Sequence, residues 1–186
     1  MKLNMIKRSN EKKGAVKRLR REGMIPAVLY LRGQPSETMA VSEAEFEALL
    51  RHVPKGRLAT ARVQLVDESG AKRTAIIKAI DYCVTSYKVI HLDFEELKAD
   101  VKVKVNIPIE CIGAADCSGI KLGGVLRQVI RALKVQCLPK DIPSYFEVDV
   151  KNLAVNDAIK LGALSIPAEV RPLNRLDEVC VVIAKR

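Results

Sequence analysis

Val101-Lys102-Val103-Lys104-Val105-Asn106-Ile107 alternates apolar and polar residues without a break, which is the period of a strand with one face buried and the other in water. Pro108 follows, so the strand is expected to end there. Residues 145–150 and 179–183 carry similar short apolar runs. Val28-Leu29-Tyr30-Leu31 is a further strand, set between Pro26 and Arg32-Gly33-Gln34-Pro35. Residues 61–66 and 73–80, joined through Asp67-Glu68-Ser69-Gly70, read as a hairpin with the turn residues a hairpin wants. In residues 89–94 the alternation puts Val89, His91 and Asp93 on one face and Ile90, Leu92 and Phe94 on the other. The first of these faces is polar enough to meet a ligand.

Helical period is rarer. Ser42 with Glu45 three residues on has the form of a capping box, and Ala44, Phe46, Ala48, Leu49 and Leu50 supply a buried side until Pro54 and Gly56 stop the helix. A second, shorter helix is expected around Val16 and Leu19, which stand three apart among cations, with Gly14 before them and Gly23 after. Residues 123–135 suit either period, because Leu126, Val129, Ile130 and Leu133 recur at helical spacing; a strand is the preferred reading. Glu95-Glu96-Leu97-Lys98-Ala99-Asp100 is a charged interruption after which helix signals thin out, so a boundary is expected that separates residues 1–97 from 98–186. The fold class is mainly β.

Charge changes this picture at one end of the chain. Residues 1–34 hold ten Lys and Arg against Glu11 and Glu22, so they contribute +8 of the whole chain's +10, while residues 35–97 sum to −2 and residues 98–186 to +4. An excess confined to one segment implies a partner with dense negative charge, and nucleic acid fits that better than a merely solvated face does. The chain has no Trp, four Tyr and three Phe, too few aromatics for a base-stacking platform, which favours structured RNA read through its backbone.

Catalytic chemistry is not apparent. His91 and Asp93 share a strand face, but the sequence offers them no nucleophile, and a hydrogen-bonded surface histidine is the simpler reading. Residues 119–124 contain three glycines and a lysine at spacings that match neither the P-loop nor the dinucleotide fingerprint; they read as a loop. Cys83, Cys111, Cys117, Cys137 and Cys180 are odd in number and show no C-x-x-C spacing, so reduced, mostly buried thiols are expected rather than disulfides or a zinc site. No run approaches the roughly twenty apolar residues of a membrane span, and a soluble cytoplasmic protein without metal or cofactor is expected.

Gly14-Ala15, Lys17-Arg18-Leu19-Arg20, Gly23, Ile25-Pro26-Ala27-Val28-Leu29-Tyr30 and His91-Leu92-Asp93-Phe94 resemble the bacterial ribosomal proteins that bind 5S rRNA in the large subunit. Gly123-Gly124-Val125-Leu126, Arg131, residues 137–143 and Asp149-Val150 are similar to the second domain of that family's longer form, the general stress protein CTC type. The resemblance implies an N-terminal antiparallel β-barrel with short helices, docked on a widened minor groove of 5S rRNA, and a C-terminal antiparallel all-β domain. It places Arg8, Lys13, Gly14, Lys17, Arg18 and Arg20 in an RNA-contacting basic segment and Tyr30, His91 and Asp93 on RNA-contacting strands. A monomer within the large ribosomal subunit is implied, with no enzymatic activity.

Three positions depart from the family pattern. Lys12-Lys13-Gly14-Ala15 stands where the family usually has Gly-x-Gly-Ala, Tyr30-Leu31 where it has Tyr-Gly, and Ala79-Ile80-Asp81 where it has Asp-x-Gln. An aspartate donates no hydrogen bond and repels phosphate, so the contact at 81 differs. The competing readings are an RNA-binding module of a tRNA-handling or RNA-processing enzyme complex, and a basic peripheral membrane protein. Val16 and Leu19 are too meagre an anchor for the latter.

Overall fold

A computed structural model describes residues 2–8, 13–31 and 33–185; Lys12, Arg32 and the side chain of Lys13 lie outside the described residues. The chain divides into two compact units, Met1–Val101 and Lys102–Arg186, each built mainly of strands.

In the first unit β1 (Lys2–Lys7), α1 (Lys13–Arg21), β2 (Met24–Tyr30), β3 (Glu37–Ser42), α2 (Glu43–His52), β4 (Arg62–Asp67), β5 (Lys72–Tyr82) and β6 (Val89–Glu96) follow in order. Six strands close a barrel in the order β1-β3-β2-β6-β5-β4. Most of its pairings are antiparallel, and two parallel seams, β2 with β6 and β1 with β4, join strands far apart in the chain. Period-2 alternation puts Leu3 and Met5, Ile25, Ala27 and Leu29, Met39 and Val41, Val63 and Leu65, Ala75 and Ile77, and Leu92 and Phe94 into one core with Phe46, Leu49 and Val53 of the α2 region.

Four local expectations are corrected by the first unit. Pro26 lies inside β2 rather than ahead of it: the ladder to β6 begins at Ala27, so the N–H that proline lacks falls outside that seam. Ser42 precedes α2 but makes no side-chain cap, and Glu45 does not close the box either: Asn4 of β1 donates its backbone N–H and side-chain Nδ2 to the Glu45 carboxylate at 2.8 and 2.7 Å. Ala44 and Ala48 are exposed, which leaves Phe46 and Leu49 as the helix's buried side chains. Within β6 the register passes from Asp81↔His91 to Tyr82↔Val89 and skips Ile90, a bulge that turns Val89 against the barrel core instead of toward His91.

The second unit contains β7 (Val103–Ile112), α3 (Ser118–Lys121), β8 (Val125–Gln128), β9 (Ala132–Cys137), β10 (Phe146–Asp149), β11 (Ala158–Lys160), β12 (Arg171–Pro172) and β13 (Val179–Ala184). They form a four-stranded sheet, β10-β7-β9-β12, and a three-stranded one, β11-β13-β8. β7 runs through Pro108 instead of stopping there. Pro108 is the last residue paired with β9, and pairing with β10 begins at Ile109, so the proline sits where the strand changes partners. The ambiguous 123–135 stretch is two strands on different sheets, broken where Val129 and Ile130 both donate their N–H to the Cys180 carbonyl.

The loop expected at residues 119–124 is corrected: residues 119–121 are the end of helix α3, and with residues 122–124 they form a packed corner. A Cβ on Gly124 would meet Ile183 Cγ2 at 2.6 Å and the Gly119 carbonyl oxygen at 2.7 Å, so these glycines admit close backbone approach. No disulfide links the five cysteines, and Cys117, Cys137 and Cys180 are buried.

Candidate nucleic-acid interface

Helix α1 is short, polar and heavily cationic. Ala15, Val16 and Leu19 are half-buried where the helix packs on β2, while Lys17, Arg18, Arg20 and Arg21 are exposed. Gly23, at φ +74, ends it in the left-handed region, and its carbonyl accepts the first N–H of α2 at 2.9 Å. Gly14 lies in the opening turn, exposed and with open space around it. Arg18 stands near Glu22 at 3.7 Å, both well exposed, so this pair adds little to stability.

Arg20 is engaged differently. Its Nη2 and Nε donate to the carbonyl of Ile90 at 2.9 and 3.3 Å. Ile90 is the residue that the β6 bulge leaves out of register, so its carbonyl is open to this guanidinium. The basic helix is thereby tied to the strand that carries His91.

On β6, His91 Nδ1 is 3.0 Å from Asp93 Oδ1, both side chains about one third exposed. The proton on Nδ1 is directed at the carboxylate, which leaves Nε2 for a ligand. Asp81 of β5 lies directly opposite His91 and is exposed. Tyr30 pairs in register with Glu95, a nearly buried carboxylate that Lys78 meets at 2.8 Å. Burial first, then the negative charges of Glu95 and Asp93, push the Tyr30 phenol up to about 12, so it remains a hydrogen-bond donor at neutral pH.

Tyr30, His91 and Asp93 are thus brought together on adjacent strands, with α1 tied to the same strand through Arg20. Arg8 is not. It sits at the end of β1, its Nε donating to the Met39 carbonyl at 3.2 Å, with β3 and β2 between it and β6. Sequence reasoning did not find the Ile90 carbonyl or the Lys78–Glu95 pair, since both depend on a bulge and a strand pairing that local residue patterns do not announce.

The arrangement divides two tasks. Asp81, Asp93 and the His91 ring nitrogen accept hydrogen bonds, as 2′-hydroxyls and base amino groups require, whereas the cations of α1 suit phosphates. No group of three or more His, Cys, Asp or Glu among the described residues could hold a metal ion, and no helix among them is long and apolar enough to cross a membrane.

Two family models match the chain, Ribosomal L25p family over residues 3–94 and Ribosomal protein TL5, C-terminal domain, over residues 102–186. Among curated relatives, the large ribosomal subunit proteins bL25 of Chlamydia abortus and Chlamydia caviae are each 46% identical over 186 residues, covering all of this chain and all of the relative. That of Chlamydia pneumoniae is 42% identical with the same full coverage. With a barrel and a mainly β second unit spanning the two matched regions, the chain belongs to the L25p family of bacterial large-subunit ribosomal proteins, in the long form with a TL5-type C-terminal domain, and its role there is structural rather than enzymatic.

Proposed function

We propose that this protein binds 5S rRNA through its first unit, the cations of α1 meeting phosphates while Tyr30, His91 and Asp93 read the minor-groove edge. The observation that carries the reading is the Arg20–Ile90 contact, which couples an electrostatic helix to a hydrogen-bonding strand face. Shape and 2′-hydroxyl recognition of this kind needs few aromatics, in keeping with the composition. Among the described residues of this unit the closed barrel leaves no open sheet edge for pairing with a second copy, which supports a monomer within the subunit.

The test is a salt titration of the full chain against 5S rRNA. With about five phosphates met, log affinity should fall against log salt with a slope on the order of −4. An affinity unchanged between low and moderate salt refutes the proposal.

A further inference from the structure

The four-stranded sheet of the second unit turns one side inward and leaves the other in water. Along β7, Val103, Val105, Ile107 and Ile109 are buried, while Lys104 and Asn106 are exposed. Register places Gln136 opposite Lys104 and Lys134 opposite Asn106, and on the far side of β9 Arg171 of β12 is opposite Gln136. Residues directly opposite share a face, so Lys104, Gln136 and Arg171 form one row across three strands and Asn106 and Lys134 form the next. Lys102, exposed just before β7, keeps the same alternation. The strand spacings make this a patch about 10 Å wide and 7 Å tall.

We propose that this face is a second RNA-binding surface, taking a double-stranded segment of ribosomal RNA by its phosphates and 2′-hydroxyls. Cations interleaved with amides on a rigid sheet are the groups that a shallow A-form minor groove can use. Protein docking relies on a central aromatic or aliphatic anchor. These rows offer cations and amides, with only the half-exposed Leu173 beside Lys134. The acidic residues of the same face lie toward its other edge: β10 sets Glu147 opposite Glu110 and Asp149 opposite Ile112. That edge repels phosphate and directs the duplex to the β9–β12 side. The inference stands on membership in the large subunit and does not depend on how the first unit binds.

A photoreactive phenylalanine analogue at Gln136 of the full chain, assembled into large subunits and irradiated, tests the contact. An adduct that ribonuclease destroys is expected, and none from the same group at Lys160 on the other sheet. A nuclease-resistant protein adduct, or no adduct, overturns the proposal. In solution, the chain with Lys104→Glu, Lys134→Glu and Arg171→Glu should bind a twenty-base-pair RNA duplex of unrelated sequence roughly tenfold more weakly, while three reversals at Lys121, Lys151 and Lys160 change affinity by less than about twofold. Equal losses in the two variants overturn it as well. The milder set Lys104→Gln, Lys134→Gln and Arg171→Gln, with an unchanged circular dichroism melt, separates lost contact from lost fold.

Discussion

Arg20→Ala removes both hydrogen bonds to the Ile90 carbonyl while leaving the rest of α1 intact. A hydrogen bond from a charged donor is worth about 1.5–3 kcal/mol, and because Arg20 is exposed, solvent screening takes its contribution below that range, to about 1 kcal/mol. In a domain of roughly 100 residues this lowers the melting temperature of the first unit by about 4–8 °C. Affinity for 5S rRNA should fall by roughly tenfold, because α1 is no longer held against the strand of His91. The guanidinium is directed at a strand carbonyl rather than at a phosphate, so its loss should release no phosphate contact and the slope of log affinity against log salt should change by well under one unit. Arg18→Ala is the contrast: stability close to that of the parent chain, and a slope shallower by about 0.7–0.9. Calorimetry of each variant with binding at four salt concentrations supplies both readouts. A full-unit loss of slope for Arg20→Ala with no loss of stability would refute the positioning role and make Arg20 a phosphate contact.

Gly124→Ala drives a Cβ against Ile183 and the Gly119 carbonyl and should destabilise the second unit by about 1–3 kcal/mol in urea unfolding, whereas Gly14→Ala, with open space in the first turn of α1, should be neutral or stabilising. The Tyr30 phenol, raised to about 12 from 10.0, keeps its proton in the folded chain at pH values where the unfolded chain releases it, so its contribution is full below about pH 10 and is lost as pH rises toward 12; Tyr30→Phe should remove the last-titrating phenol from an ultraviolet absorbance titration. Arg73, bonded at 2.9 Å, holds the Glu37 carboxyl below its usual 4.5. Glu37→Gln should therefore cost stability near neutral pH, with the gap to the parent chain closing as pH falls from about 4.5 through the depressed native value.

Residue pattern alone marked β2, β4 to β7, β10 and β13, the basic α1 and the polar residues His91 and Asp93, because strand alternation and local charge are properties of neighbours in the chain, whereas β1, β3, β11 and β12 were not read from it. The same logic failed wherever a distant residue outcompeted a local one. Glu45 had the spacing of a cap, yet Asn4 of β1 offers two donors to its carboxylate and the helix start goes without it. Pro26 and Pro108 had the look of strand ends, and each is accommodated because its missing N–H coincides with the start or the change of a pairing. Alternation counted Val89 with His91, but the skipped Ile90 reverses the sense of everything before it and opens the carbonyl that Arg20 takes. A bulge adds one residue to one strand only, and it is visible only once the partner strand is in place. Tertiary structure thus decided how Arg20 of the basic helix came to be tied to the strand of His91 and Asp93, since pairing and register are set by the whole barrel closing on one core rather than by any segment of it.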